Sequence, residues 1–228
     1  MTVLITGTSS GLGYELAKQF IAKGYTVYGI SRGISDLDIK QIQCDFTDLQ
    51  HLAISLNDLI DTKEIDTVIL NAGMLGNISE TNNLRIDEFY DIFTVNVLAN
   101  KVIVDWLLNH DVDVKNIVGI STGAALKTYY GWSLYCTSKA AFNQLLSTYA
   151  QEEKDVHFLS LAPGIIKTKM QDYIYSLDGQ EIPSVKKFKE MYNTMDTPDL
   201  VAERIIKFLP EINDIKSGSY FDLRDIKL

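Results

Sequence analysis

Short β-branched and aliphatic runs alternate along this chain with longer amphipathic stretches. The apolar runs predict strands at 2–6, 26–30, 39–44, 67–71, 116–121, 157–162 and 219–222. Segments such as Val68-Ile69-Leu70 and Ile117-Val118-Gly119-Ile120 are almost continuously apolar, as strands covered on both faces are. Between the strands, apolar spacing predicts helices over 12–23, 48–59, 87–108, 133–154 and 198–208. Gly24 suits a helix C-terminus, and Thr197-Pro198 suits an N-cap followed by proline in the first turn. Strand and helix in this alternation predict an α/β fold with a doubly wound, parallel, seven-stranded sheet, in a single domain over residues 1–228. The polar segment 169–197 has no firm period. It reads equally as a loop closing over a substrate or as a surface excursion of two short helices.

The first strand runs into Thr6-Gly7-Thr8-Ser9-Ser10-Gly11-Leu12-Gly13, and the first helix opens on it. A turn there needs unusual backbone angles, and a diphosphate needs N–H groups without Cβ obstruction. The spacing G-x-x-x-G-x-G departs from the G-x-G-x-x-G fingerprint, but its position favours a dinucleotide over an ordinary turn. That makes the sheet Rossmann-type. The second strand ends Gly29-Ile30-Ser31-Arg32, with no carboxylate to take a ribose 2′-hydroxyl. Arg32 can fork onto a 2′-phosphate, so NADPH is the expected cofactor.

Tyr135 and Lys139 stand one helical turn apart on a shared face, where an ammonium can sit beside a phenol and lower its pKa from about 10. Such a phenol is a usable acid or base. The spacing alone is weak evidence, because Tyr14 and Lys18 repeat it in a surface helix. Tyr129, Tyr130 and Trp132 precede Tyr135 closely and point to a flat or aromatic substrate.

The chain of 228 residues carries 21 Lys and Arg against 30 Asp and Glu, a net charge of -9. That balance disfavours nucleic acid and anionic membranes as partners. The start Met1-Thr2-Val3-Leu4-Ile5 has no basic leader, and no apolar run approaches the roughly 20 residues of a membrane span. Cys44 and Cys136, and the scattered histidines 51, 110 and 157, have no metal or redox spacing. The expectation is a reduced cytoplasmic protein with no metal.

In this order and spacing, these motifs resemble those of the short-chain dehydrogenase/reductase family over essentially the whole chain. The resemblance implies that Gly7, Ser9, Ser10, Gly11, Leu12 and Gly13 cradle the cofactor, with Asp45 at its adenine. Asn71-Ala72-Gly73 matches the family's turn, and Pro163, Gly164, Ile166 and Thr168 match the segment bordering the nicotinamide. Asn96 takes the place of a helical asparagine in a proton relay, and Lys139 would also bond the nicotinamide ribose. Thirteen residues before Tyr135 the family usually has serine; here that position is Thr122, preceded by Ser121. Either hydroxyl can hold a carbonyl, and spacing favours Thr122.

Gly131-Trp132-Ser133-Leu134-Tyr135-Cys136 and the tail 216–222 look like the branch of sepiapterin and benzil reductases. That likeness implies reduction of a ketone or vicinal dicarbonyl, with Trp132 and Asp222 at the substrate; alternatively Asp222 only ends the last strand. It also implies a homodimer or homotetramer. An alcohol dehydrogenase running toward oxidation and a non-catalytic dinucleotide-binding regulator are the competing readings.

Overall fold

The computed structural model describes residues 1–178 and 182–225. Strands β1 (Thr2–Thr6), β2 (Thr26–Ser31), β3 (Lys40–Gln43), β4 (Glu64–Leu70), β5 (Asp113–Ile120), β6 (His157–Ala162) and β7 (Ser219–Asp222) form one sheet. Their order is β3-β2-β1-β4-β5-β6-β7, and every neighbouring pair is parallel. The direction of winding reverses between β1 and β4, and a crevice opens beyond the carboxyl ends of strands at such a reversal.

Alternate side chains leave each strand on opposite faces. Val3 and Ile5 of β1 and Ile69 of β4 pack with α1 (Gly11–Ala22) and α8 (Pro198–Phe208). Leu4, Val68 and Leu70 face the other way, into a layer with α2 (Leu49–Leu59), α4 (Ala99–Asn109) and α5 (Ser133–Glu152). Burying each such aliphatic side chain stabilises the fold by about 1.5–3 kcal/mol. A third, smaller cluster, including Leu75, Trp132, Ile174, Val185 and Phe188, is separate from these two layers.

Two features differ from the sequence reading. β4 and β5 begin three residues earlier than their apolar runs suggest, at Glu64 and Asp113. Charges mask these strand starts: Lys115 Nζ pairs with Asp66 at 2.6 Å, and Asp66 accepts the N–H of Thr2 at 2.8 Å. The helix expected over 87–108 is α3 (Ile86–Phe93) and α4, joined by the π-helical turn Thr94–Leu98. Segment 169–197, read as a closing loop or as two short helices, contains the helices α6 (Lys169–Ser176) and α7 (Pro183–Met191); its residues 179–181 lie outside the described ones. Among the described residues no helix is long and apolar enough to cross a membrane.

Candidate active site

At the β1–α1 turn, Gly7 (φ 80°) and Gly11 (φ 61°) take backbone angles that L side chains resist. Gly13 is required by proximity, since a Cβ there would lie 2.2 Å from the Gly7 carbonyl oxygen. Neighbouring strands hold the turn. The Thr6 hydroxyl accepts the N–H groups of Asn71 and Ala72 at 2.9 and 2.8 Å, and the Asn71 amide donates to the Thr6 carbonyl at 2.9 Å. The first turn of α1 carries no acid, and the Ser10 side chain makes no capping bond, so the helix N-terminus is open to an anion.

Ser10, Gly11 and Leu12 line one end of a cavity of about 980 Å³, and Arg32 lines it beside them. Arg32 is exposed and forms no ion pair among the described residues. The Ser31 hydroxyl, donating to the Gly33 carbonyl at 2.6 Å, and Gln43, donating to the Arg32 carbonyl at 2.9 Å, fix the strand tip that carries it. Thr168, at the N-terminus of α6, closes the same end: its Cγ2 would lie 3.6 Å from a Cβ on Gly11. Pro163, Gly164 and Ile166 line the cavity between Thr168 and β6, and Asn71 and Gly73 line it from β4. Gly7, Ser9, Gly13 and Ala72 are not in the lining, and Asp45, past β3, accepts the N–H and hydroxyl of Thr47 at 2.9 Å. An open helix end, a glycine turn and an arginine at one end of the cavity fit a dinucleotide.

Tyr135, Lys139, Ser121 and Thr122 also line this cavity. The Lys139 ammonium is buried and donates to the Ile120 carbonyl at 2.9 Å; loss of hydration brings its pKa down to about 8. Burial pushes the Tyr135 phenol above its ordinary value. The expected lowering of the phenol is absent here: desolvation raises it, Tyr135 is half-buried, and the ammonium of buried Lys139 faces a backbone carbonyl. Tyr14 and Lys18 lie outside this cavity, with the Tyr14 hydroxyl donating to Asp36 at 3.0 Å.

Asn96 sits in the π-helical turn and is fully buried. Its amide receives the N–H of Met74 and donates to the Met74 carbonyl, both at 2.8 Å. A Cβ on Gly73 would stand 3.2 Å from Asn96 Oδ1 and 3.5 Å from Lys139 Nζ, so Asn96 and Lys139 meet across that glycine. Such π-helical turns often mark functional sites.

Ser121 and Thr122 point to different partners. The Ser121 hydroxyl donates to Asn143 Oδ1 at 2.6 Å, whereas Thr122 Oγ1 accepts only the Ala124 N–H, at 3.2 Å. Asn143 lies four residues beyond Lys139 on α5, and the sequence reading missed it despite that spacing.

Trp132 and Tyr129 line the cavity; Trp132 stacks on Phe188 with ring centroids 4.7 Å apart and meets the Tyr135 ring edge-on at 6.1 Å. Tyr130 does not line it: its ring is exposed and its hydroxyl donates to Glu80. Asp222 is also outside the lining, because Arg224 takes both its oxygens at 2.8 and 2.6 Å. Arg224 itself, with Phe188 and Lys187 from α7, lines the cavity and was not singled out in the sequence. Among the described residues no group of three metal-ligating side chains is placed to hold an ion.

Comparison with known proteins agrees with this geometry. The family model for short chain dehydrogenase matches residues 1–178. A Bacillus subtilis benzil reductase ((S)-benzoin forming) is 28% identical, covering 97% of this chain and 98% of that protein. A Saccharomyces cerevisiae benzil reductase ((S)-benzoin forming) is 30% identical, covering 99% and 97%. A bovine (Bos taurus) sepiapterin reductase is 29% identical over 78% of this chain and 70% of its own. The crystal structure of the KRED1-Pglu enzyme superposes with a TM-score of 0.87 at 25% identity, covering 96% of this chain and 99% of that one. With a glycine-lined cavity at the sheet's winding reversal and a family match over most of its length, the chain belongs to the short-chain dehydrogenases, oxidoreductases that work with a nicotinamide dinucleotide.

Proposed function

We propose that this protein is an NADPH-dependent carbonyl reductase acting on a ketone or vicinal dicarbonyl of benzil or sepiapterin type. One observation carries the reading: a single cavity runs from the glycine turn and Arg32 to Tyr135, Lys139 and Thr122, with Tyr129, Trp132 and Phe188 in its wall. The names of the benzil and sepiapterin reductase relatives support the substrate class.

When bound, the cofactor supplies the hydride. Ser10, Gly11 and Leu12 hold its phosphates against the open N-terminus of α1, and Arg32 takes the 2′-phosphate. Thr122 holds the substrate carbonyl oxygen. Tyr135, whose raised pKa keeps its proton at neutral pH, donates that proton to the same oxygen. Lys139 would hold the nicotinamide ribose. Asn96 places a water that reconnects Lys139 to solvent. Aromatic walls hold the flat substrate close to these groups, lowering the entropic cost of the encounter.

Arg32→Ala is expected to weaken NADPH binding by roughly 10- to 100-fold, the loss of charge-assisted bonds to one phosphate. NADH binding should change little. Equal losses, measured by calorimetric titration of both cofactors, would remove Arg32 from this role. The paired hydroxyls give a second test. Thr122→Val is expected to lower kcat about 10²-fold, while Ser121→Ala, whose partner is Asn143, should lower it far less. The opposite ranking would transfer the carbonyl contact to Ser121.

A further inference from the structure

The acidic chain has a basic cavity. Against a net charge of -9, the lining holds six cationic side chains, Arg32, Lys127, Lys139, Lys169, Lys187 and Arg224, and two acidic ones, Glu88 and Asp91. The mechanism uses Arg32 and Lys139, and Asp222 occupies Arg224 through both oxygens. That leaves Lys127, Lys169 and Lys187. All three are exposed, which puts them at the solvent side of the cavity, and none forms an ion pair or side-chain hydrogen bond among the described residues.

Their neighbours place Lys127 and Lys187 in the substrate half. The Lys187 ammonium lies 5.9 Å from the centre of the Tyr129 ring, and that ring packs against Trp132 and Phe188 with centroids 5.4 and 5.5 Å away. Lys127 precedes Tyr129 by two residues and lies within electrostatic reach of Asp222. Lys169 opens α6 directly after Thr168, toward the cofactor end, and stands apart from this pair. The opposing carboxylates do not cancel this charge. Glu88 accepts the N–H of Arg85 at 2.9 Å and pairs with its guanidinium at 3.8 Å, and Asp91 also lies within electrostatic reach of Arg85.

We propose that the substrate carries, besides its reacting carbonyl and a flat apolar part, a carboxylate that Lys127 and Lys187 recognise at the mouth of the cavity. This rests on the carbonyl-reductase reading and narrows its substrate class to anionic aryl or alkyl ketones. A carboxylate fits better than a phosphate. Phosphate favours the planar fork of arginine, and the only arginine in this half of the lining is held by Asp222. Lysines on flexible stems act as point charges that a single carboxylate satisfies.

The test compares three probes of one shape: benzil, 4-carboxybenzil and the methyl ester of 4-carboxybenzil. Binding to the protein is measured by calorimetry, alone and with NADPH, so the outcome does not depend on turnover. At low salt the acid is expected to bind up to about tenfold more tightly than its ester, the sum of two partly exposed ion pairs. The preference should shrink near 0.5 M salt, where the screening length falls to roughly 4 Å. In the double variant Lys127→Gln/Lys187→Gln the acid-to-ester ratio should approach one. Lys63→Gln, which removes the exposed partner of Asp111, should leave the ratio as it is. Equal binding of acid and ester, or a preference that survives the double variant, would overturn the proposal. Turnover of benzil and the ester without preference for the acid would sink the carboxylate site alone. Binding preference for the acid with no turnover of any probe would instead sink the carbonyl-reductase reading.

Discussion

Replacing Tyr135 with phenylalanine is expected to lower turnover of a benzil-type dicarbonyl by about 10²- to 10⁴-fold, the usual contribution of a positioned general acid. NADPH affinity should be nearly unchanged, because Arg32 and the glycine turn, which carry the phosphates in this account, lie at the other end of the cavity. The substitution removes one oxygen and keeps the ring that meets Trp132 edge-on, so the wall stays packed. Steady-state rates with NADPH, read beside a cofactor titration, separate the two effects. A variant with the parental rate would refute the acid assignment, and one that also lost NADPH would point to a structural role.

Lys139→Met is expected to abolish most turnover and yet make the cofactor-free protein more stable. Burial holds the ammonium near a pKa of about 8, against 10.5 for a free lysine. That depression corresponds to about 3 kcal/mol of unfavourable charge burial near neutrality. Loss of the charge-assisted bond to the Ile120 carbonyl takes back about 1.5 kcal/mol or more, leaving a gain of at most about 1.5 kcal/mol. The sign with pH follows from the depressed value. Below about pH 8 both folded and unfolded states hold the proton and the whole penalty stands. Between about 8 and 10.5 the unfolded chain binds more protons than the folded one, so the parent gains stability as pH rises. Thermal unfolding of the two proteins should therefore differ by several degrees at pH 7 and converge toward pH 10. A parent more stable than the variant at pH 7 would contradict the burial argument.

Much of this fold is legible in the sequence because strands covered on both faces are written as uninterrupted aliphatic runs, as at Val68-Ile69-Leu70. What is hidden has physical causes. Glu64, Asp66 and Lys115 give the beginnings of β4 and β5 a polar surface, while the ladder still includes Glu64 opposite Asp113. The π-helical turn is invisible to a helical period, since Ile103 and Leu107 keep theirs after it; the clue was a fully buried Asn96 in an apolar helix. Tyr135 and Lys139, one turn apart near the start of α5, and Arg32 and Thr122, just past the ends of β2 and β5, were readable as cavity residues from their places in the pattern. Lys187, Phe188 and Arg224 reach the cavity from a short helix and from past the last strand, and no local pattern marks them. Asn143 was open to detection: Tyr135, Lys139 and Asn143 recur every four residues on one helix face.

The most direct measurement follows NADPH absorbance while the purified protein is given benzil, with NADH in a parallel reaction and the product assayed as benzoin. Carbonyl reduction by this site predicts NADPH oxidation matched one to one by benzoin, and much slower consumption of NADH. Tight NADPH binding without oxidation of the cofactor, for benzil and for other aryl and pterin dicarbonyls alike, would contradict it.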